Sequence, residues 1–201
     1  PKGAIICFTG MDGSGKTTHI STLMKELRKK GFRVKYVWCR WVPGFADPFH
    51  FLIRKTLGYT AGSYKFFKPL QIVYQFLIIL DYSVAIAFKV RLSAIPNDCI
   101  LLIDRYVYDA LADLDFIRFS ISTFFRRLFI TMNPKPDITF LIDVPPDVAC
   151  SRKNDLQLPQ ATKYRNIYHK LAKIYRFRTI INMDFSEAHD RILGEVLKII
   201  K

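Results

Sequence analysis

The residues with the clearest chemistry lie near the start of the sequence, where a glycine-rich run ends in lysine and threonine. Residues 10–17 read GMDGSGKT and match in full the pattern GxxxxGK followed by serine or threonine. In such a loop the glycines let backbone N–H groups turn inward around phosphate oxygens. We expect Lys16 to bind the β- and γ-phosphates of a nucleoside triphosphate and the Thr17 hydroxyl to hold Mg²⁺. The predicted nucleotide ligands are Gly10, Gly13, Ser14, Gly15, Lys16, Thr17 and Thr18.

A second pair of residues, Asp104 and Arg105, follows the apolar run at 100–103. An aspartate at the carboxyl end of a central strand faces the phosphate loop, where it could bind Mg²⁺ through water or orient an acceptor. The arginine beside it could hold an acceptor phosphate with two hydrogen bonds. A surface ion pair is the alternative. We predict catalytic roles for Lys16, Asp104 and Arg105, and a metal site at Thr17 and Asp104.

A sheet must bring these residues together, and the apolar pattern predicts one. The apolar runs predict strands over 4–9, 34–38, 100–104, 138–144 and 179–182. An amphipathic pattern over 16–30, ended by Gly31, predicts a helix between the first two strands. Strand, helix and strand in that order imply a parallel sheet with ligands at its carboxyl edge. We therefore expect one α/β domain over 1–201, a P-loop NTPase three-layer sandwich with a five-stranded parallel sheet and a small lid.

The segments between the strands are expected to be mostly helical. Helices are predicted over 70–92, 106–131 (in two pieces), 145–153 and 162–176, and from an N-cap at Ser186 to about 200. The stretch 43–69 is rich in glycine and proline and predicts a loop with one short helix at 49–57. The polar segment 154–161 contains Pro159 and is expected to be a mobile loop within a lid at 150–163.

The composition restricts the partners and the setting. The 201 residues include 31 basic and 17 acidic side chains, a net charge of +14 that favours polyanionic partners. The four cysteines form no CxxC pair, so a metal or redox motif is unsupported and a reducing, cytoplasmic setting is inferred. The apolar segment 70–90 contains Gln71, Gln75 and Asp81, which favours a buried or interface helix over a membrane span.

Several motifs together resemble the thymidylate kinase family over nearly the whole chain. Residues 8–18 read FTGMDGSGKTT, with an acidic residue two positions after the first glycine, and residues 104–106 read DRY. Residues 136–147 resemble the family's fourth strand and following turn, and residues 152–168 resemble its lid and the helix after it. The resemblance implies that ATP, with Mg²⁺, phosphorylates a nucleoside monophosphate, converting dTMP to dTDP.

The resemblance also implies a set of acceptor-binding residues. Asp12 would reach the 3′-hydroxyl of the acceptor sugar, with an Asx turn as the alternative. Tyr106 would line the acceptor site or pack under the sheet. Arg40 would hold the acceptor phosphate or be a solvated loop residue, because the segment from Arg40 to Pro43 is one residue longer than the family pattern.

The long helix departs from the family pattern where the base is recognised. The family uses an aromatic residue and an arginine four positions apart, whereas Phe76 is followed by Leu80. No arginine occurs between positions 55 and 89. We therefore assign base recognition to other groups, with Phe76, Gln75 and Tyr82 as candidates.

In this family a basic side chain from the phosphate loop or from the lid assists phosphoryl transfer. The phosphate loop of this chain contains no arginine, so the resemblance places the helper in the lid. Arg152 and Lys153 are the catalytic candidates, with Lys163 and Arg165 further along the chain. Stacking on adenine is an alternative for Arg152, and a solvated helix face is an alternative for each of them.

Two other activities remain open. One alternative is another P-loop small-molecule kinase, for a deoxynucleoside or another pyrimidine nucleotide. A deoxynucleoside kinase would need a general base to act on a hydroxyl, and Asp104 is the one clear candidate. A nucleic-acid-binding ATPase would suit the charge, but such ATPases carry a water-activating glutamate where this chain has Arg105. As partners we expect ATP, dTMP and a second copy through helix 70–92, with no stable nucleic-acid partner and no membrane.

Overall fold

The computed structural model describes residues 3–39, 68–94, 98–116, 121–153 and 157–200. Five parallel strands form one sheet, and each lies within one residue of its predicted range. The strands are β1 (Ala4–Thr9), β2 (Val34–Trp38), β3 (Ile100–Asp104), β4 (Ile138–Asp143) and β5 (Arg178–Ile181). Their order across the sheet is β2-β3-β1-β4-β5. The predicted α/β class and five-stranded parallel sheet are confirmed.

Seven helices lie in the described residues. They are α1 (Lys16–Lys29), α2 (Lys68–Ser93), α3 (Val107–Phe116), α4 (Thr123–Met132), α5 (Pro146–Arg152), α6 (Leu158–Tyr175) and α7 (Phe185–Ile200). The segment 106–131 does form two helices, α3 and α4. The short helix predicted at 49–57 lies outside the described residues. Among the described helices, α2 included, none is both long and apolar enough to cross a bilayer.

The central strands bury both faces, which is why their sequences are apolar throughout rather than alternating. Along β1, Ile6 and Phe8 pack with apolar residues of α1 and α7. Between them, Cys7 belongs to the core cluster shared with α2, α3 and α6. The sheet therefore lies between two helical layers, and the carboxyl ends of β1, β3 and β4 open on the same edge.

The end of α1 follows the sequence prediction. Gly31 has a φ of 85°, a left-handed conformation that glycine adopts without a Cβ clash. Its N–H donates to the Arg28 carbonyl at 3.0 Å, and the Phe32 N–H donates to the Leu27 carbonyl at 3.0 Å. This is the Schellman arrangement, which satisfies the last carbonyls of the helix and directs the chain into β2.

The predicted loop at 154–161 was wrong in its second half. The helix α6 begins at Leu158, and Pro159 lies in its first turn, where the missing proline N–H removes no hydrogen bond. Gln157 and Gln160 form a reciprocal capping box that fixes this start. A proline that reads as a helix breaker is therefore a helix start, and residues 154–156 lie outside the described residues.

The N-cap predicted at Ser186 was also wrong. The Asp184 carboxylate accepts a hydrogen bond from the Glu187 N–H at 2.8 Å, and α7 already includes Ser186. Both side chains belong to residue types that cap helices, so the sequence alone did not separate them.

Candidate active site

The phosphate loop joins β1 to α1 and adopts a conformation that only glycine tolerates at several positions. Gly10, Gly13 and Gly15 have φ angles of 137°, 80° and 92°. A Cβ on Gly10 would lie 2.5 Å from the carbonyl oxygen of Ile142 in β4. The loop therefore packs against the end of β4, and its backbone can surround phosphate oxygens without interference from side chains.

Lys16 lies inside this loop and is 5% exposed. Its Nζ donates to the carbonyl oxygens of Gly10 and Met11, both at 2.8 Å, and to the Ser14 hydroxyl at 3.4 Å. Burial, the largest cause, and the nearby Arg105 charge lower the pKa of Lys16 to about 8, against the opposing effect of the neighbouring carboxylates. The ammonium group is thus held where phosphates entering the loop would meet it. Thr18 lies on an exposed part of the first turn of α1.

Thr17 and Asp104, the two predicted metal ligands, lie in direct contact. The Thr17 hydroxyl donates to Asp104 Oδ2 at 2.8 Å, and the Tyr36 hydroxyl of β2 donates to the same oxygen at 3.2 Å. Burial and the neighbouring Asp104 carboxylate raise the pKa of Tyr36 to about 12, so it remains a donor at neutral pH. A hydroxyl and a carboxylate side by side are the hard oxygen ligands that suit Mg²⁺, which completes its shell with water and phosphate. The described residues contain no group of three or more His, Cys, Asp or Glu that could hold a metal ion.

Arg105 turns away from the strand direction, with a φ of 64°. The backbone N–H of Arg105 donates to the Phe8 carbonyl at 3.0 Å, so the residue is anchored to β1. The buried guanidinium pairs with Asp12 of the phosphate loop, and its Nη1 lies 3.6 Å from Asp109 Oδ1. Burial would lower the pKa of Arg105, but Asp109 and other neighbouring groups raise it overall, so the group stays charged.

Asp12 lies among three cations. Burial alone would raise the pKa of its carboxyl, but Arg105, Lys16 and Lys153 outweigh burial and lower it. The structure therefore brings together the acceptor residue Asp12 and three of the predicted catalytic residues.

The four basic residues considered as catalytic helpers from the lid lie in different places. Lys153, at the end of α5, has its Nζ 3.8 Å from Asp12 Oδ1. The neighbouring Arg152 is exposed, and its charge contributes to the lowered pKa of His19, for which burial is the main cause. Lys163 donates to the Phe116 carbonyl at 2.6 Å, and Arg165 pairs with Asp143 through two hydrogen bonds at 2.8 and 2.9 Å. Of the four basic residues, Lys153 is therefore the one seen beside Asp12.

Two residues expected at the acceptor have other contacts. The Tyr106 ring is buried in the core, and its hydroxyl donates to the Pro134 carbonyl at 2.7 Å. Tyr82 is also buried, and its hydroxyl donates to the Cys39 carbonyl at 3.0 Å. Packing under the sheet, the alternative for Tyr106, is the arrangement observed, because the ring fills space between β3 and the helices. Neither tyrosine is retained as an acceptor ligand.

Of the other residues predicted to bind the acceptor, the structure describes the side chain of Phe76. Phe76 lies on α2 with 44% of its surface exposed. Arg40 lies outside the described residues, as does the side chain of Gln75.

The sequence analysis missed Asp109, which is 3% exposed and beside Arg105. Burial raises the pKa of its carboxyl, against the opposing effects of Arg105 and Lys16. Its position four residues after Arg105, on the first turn of a helix that follows β3, was the signal available in the sequence. It also missed Tyr36, because the lone hydroxyl of an edge strand gives no motif.

Comparisons with known proteins agree with this geometry. A family model described as thymidylate kinase matches residues 8–192. A probable thymidylate kinase 1 of Saccharolobus solfataricus is 29% identical over 203 residues, covering 98% of this chain and 96% of that protein. The thymidylate kinase of Geotalea daltonii is 31% identical over 161 residues, covering 75% of this chain and 67% of that protein. A crystal structure of thymidylate kinase from Ehrlichia chaffeensis superposes with a TM-score of 0.60 at 20% identity, covering 98% of this chain and 99% of that one, which shows a shared fold.

Proposed function

Because the family model spans residues 8–192, the chain belongs to the thymidylate kinase family, and we propose that it transfers the γ-phosphoryl group of ATP to dTMP. The products are ADP and dTDP. The observation that supports this most directly is the Arg105–Asp12 pair, which joins the end of β3 to the phosphate loop near Lys16. Arg105, the cation proposed for the acceptor phosphate, is thus near Lys16, the cation proposed for the ATP phosphates, as a kinase with a phosphate acceptor requires.

The donor half of the reaction uses the phosphate loop. Its backbone N–H groups surround the β-phosphate, and Lys16 stabilises the negative charge that develops on the β–γ bridge. Thr17 and Asp104 would hold Mg²⁺, which neutralises charge between the β- and γ-phosphates when it is bound. Tyr36 orients the Asp104 carboxylate through its hydrogen bond.

The acceptor half of the reaction uses Arg105 and Asp12. Arg105 binds the phosphate of dTMP and aligns one of its oxygens with the γ-phosphorus of ATP. That oxygen is already ionised, so no general base is needed. Asp12 is proposed to accept a hydrogen bond from the sugar 3′-hydroxyl. Lys153 lies close enough to Asp12 to reach the migrating phosphoryl group when the lid segment 150–163 closes.

We also infer that two copies of the chain associate through α2. Val84, Phe88 and Leu92 recur at four-residue intervals along this helix and are all exposed, Phe88 by 65%. They line a groove of about 410 Å³ that also includes Met132 of α4. Exposed apolar residues in a continuous row mark an interaction surface rather than a solvated helix face.

A panel of acceptors tests the proposed function. ADP release is measured with ATP and Mg²⁺ in the presence of dTMP, dUMP, dCMP, dAMP, dGMP or thymidine, and without acceptor. We expect acceptor-dependent ADP release with dTMP the preferred substrate. Turnover of thymidine but not of dTMP would instead identify a nucleoside kinase. ADP release without acceptor that increases with single-stranded DNA would identify an ATPase.

A further inference from the structure

Asp109 lies one helical turn after Arg105, at the start of α3, and its buried carboxylate collects contacts from three parts of the fold. Its Oδ2 accepts hydrogen bonds from the Thr9 hydroxyl and the Tyr106 N–H, both at 2.9 Å. Its Oδ1 accepts a hydrogen bond from the Tyr168 hydroxyl at 2.9 Å and lies 3.6 Å from Arg105 Nη1. Both oxygens are therefore fixed before any ligand is bound.

From this geometry we propose that Asp109 is a positioning residue for the acceptor phosphate, which it serves by holding the Arg105 guanidinium beside Asp12. The proposal rests on the proposed function, in which Arg105 binds that phosphate. A free arginine side chain loses rotamer entropy when it grips a ligand, and a preorganised one has already lost it. Two carboxylates, Asp12 and Asp109, contact the Arg105 guanidinium and fix its direction.

The same contacts join Arg105 to elements on either side of the site. Thr9 is the last residue of β1, directly before the phosphate loop, and Tyr168 lies on α6, the helix that follows the lid. Asp109 thus fixes the position of Arg105 relative to both the phosphate loop and α6.

Replacing Asp109 by asparagine shows where its charge matters. An amide keeps one acceptor oxygen, and the Tyr106 N–H needs it because a backbone N–H can only donate. The amide NH₂ then faces Tyr168, whose hydroxyl can rotate to accept, and Arg105, which has no acceptor. We therefore expect Asp109→Asn to weaken the contact with Arg105 and to keep the hydrogen bonds with Tyr106 and Tyr168.

The test compares Asp109→Asn with Asp115→Asn. Asp115 lies on α3, the same helix as Asp109, and its carboxylate pairs with Arg126 of α4. Steady-state kinetics would give KM for dTMP and for ATP, and thermal unfolding would report the fold. We expect Asp109→Asn to raise the KM for dTMP about tenfold or more while the KM for ATP changes by less than about twofold. The Asp115→Asn control should leave both KM values unchanged. Equal rises in both KM values for Asp109→Asn would overturn the proposal.

A double-mutant cycle separates positioning from a purely structural role. If Asp109 acts through Arg105, then Asp109→Asn should change the KM for dTMP by less than about twofold in an Arg105→Ala background. The same fold-change in both backgrounds would refute the proposal.

The Arg105 side chain itself gives a readout that needs no turnover. Its ¹⁵N NMR signals, assigned by their loss in Arg105→Lys, should show faster guanidinium rotation in Asp109→Asn than in the wild type. If the wild type phosphorylates no monophosphate, the proposed function fails by that result. The Asp109 proposal then depends on this NMR comparison, and unchanged rotation would overturn it.

Discussion

At the scale of single residues, three cations lie around the Asp12 carboxylate. Arg105, Lys16 and Lys153 all lower the pKa of its carboxyl. Arg105 also lowers the pKa of Lys16, so the cations repel one another. The phosphates of ATP and dTMP would bring negative charge to these cations, and this links substrate binding to the relief of that repulsion.

The first prediction concerns Arg105. Replacement by alanine removes the bidentate donor for the acceptor phosphate, so we expect the KM for dTMP to rise about 10- to 100-fold with little change in the KM for ATP. Initial rates with one substrate varied at saturating levels of the other measure both values. Arg126→Ala, which breaks the remote pair with Asp115, is the matched control. A selective loss of ATP affinity would show that the two phosphate sites are reversed.

The second prediction concerns the proton on Lys16. Its pKa of about 8 lies below the usual value, so a fraction of the free protein carries a neutral Lys16 at pH 8.5. Phosphate oxygens favour the charged form and raise this pKa, so ATP binding should take up protons at pH 8.5 and almost none at pH 6.5.

Isothermal titration in buffers of different ionisation enthalpy measures that uptake. In Lys16→Arg the guanidinium stays charged at both pH values, and the uptake should disappear. Equal proton uptake by the wild type at both pH values would contradict the lowered pKa.

The third prediction concerns the lid cations. Lys153 approaches Asp12, whereas Arg152 is exposed and acts electrostatically on His19, so we expect Lys153→Ala to lower kcat about 10²- to 10³-fold and Arg152→Ala to have a smaller effect. Both variants are measured at saturating ATP and dTMP so that binding losses do not contribute. A wild-type kcat in the double variant would show that the lid supplies no catalytic charge.

At the scale of elements, the start of α7 gives the fourth prediction. Asp184→Ala removes the hydrogen bond to the Glu187 N–H and should lower the free energy of unfolding by about 1 kcal/mol. Ser186→Ala, inside the first turn, should change it by less than about 0.5 kcal/mol. Urea denaturation of both variants distinguishes the two positions, and a larger effect at Ser186 would restore it as the cap.

The elements also show what the sequence could predict and why. The strands were predictable because each central strand buries both faces and is apolar throughout, and the phosphate loop because its glycines and Lys16 follow a fixed local spacing. The start of α6 was not, because Pro159 reads the same in a loop and in a first turn. Asp109 was missed although it lies four residues after Arg105, because its hydrogen bonds with Thr9 and Tyr168 join residues far away in the chain. Tyr36 was missed because its one partner, Asp104, is also distant in sequence.

At the scale of the whole molecule, the exposed face of α2 gives the fifth prediction. Phe88→Glu places a charge in the middle of the proposed interface and should shift a dimer toward monomer at micromolar concentration. Ile174→Glu, at an apolar site on α6 that is also more than half exposed, is the control and should leave the association state unchanged. Sedimentation velocity measures both. A wild type that sediments as a monomer would exclude association through α2.

The strand order also fixes when the molecule can assemble during synthesis. The first strand made, β1, occupies the centre of the sheet, where Ile6 pairs with Leu102 on one side and with Ile138 on the other. Neither neighbour exists when β1 leaves the ribosome, and at typical elongation rates the wait for β3 is roughly 5–20 s. The strand that precedes the phosphate loop is therefore synthesised before its neighbours in the sheet but pairs with them only late in folding. A nascent chain stalled before β3 should expose this apolar segment to chaperones and proteases, and one released after β4 should protect it.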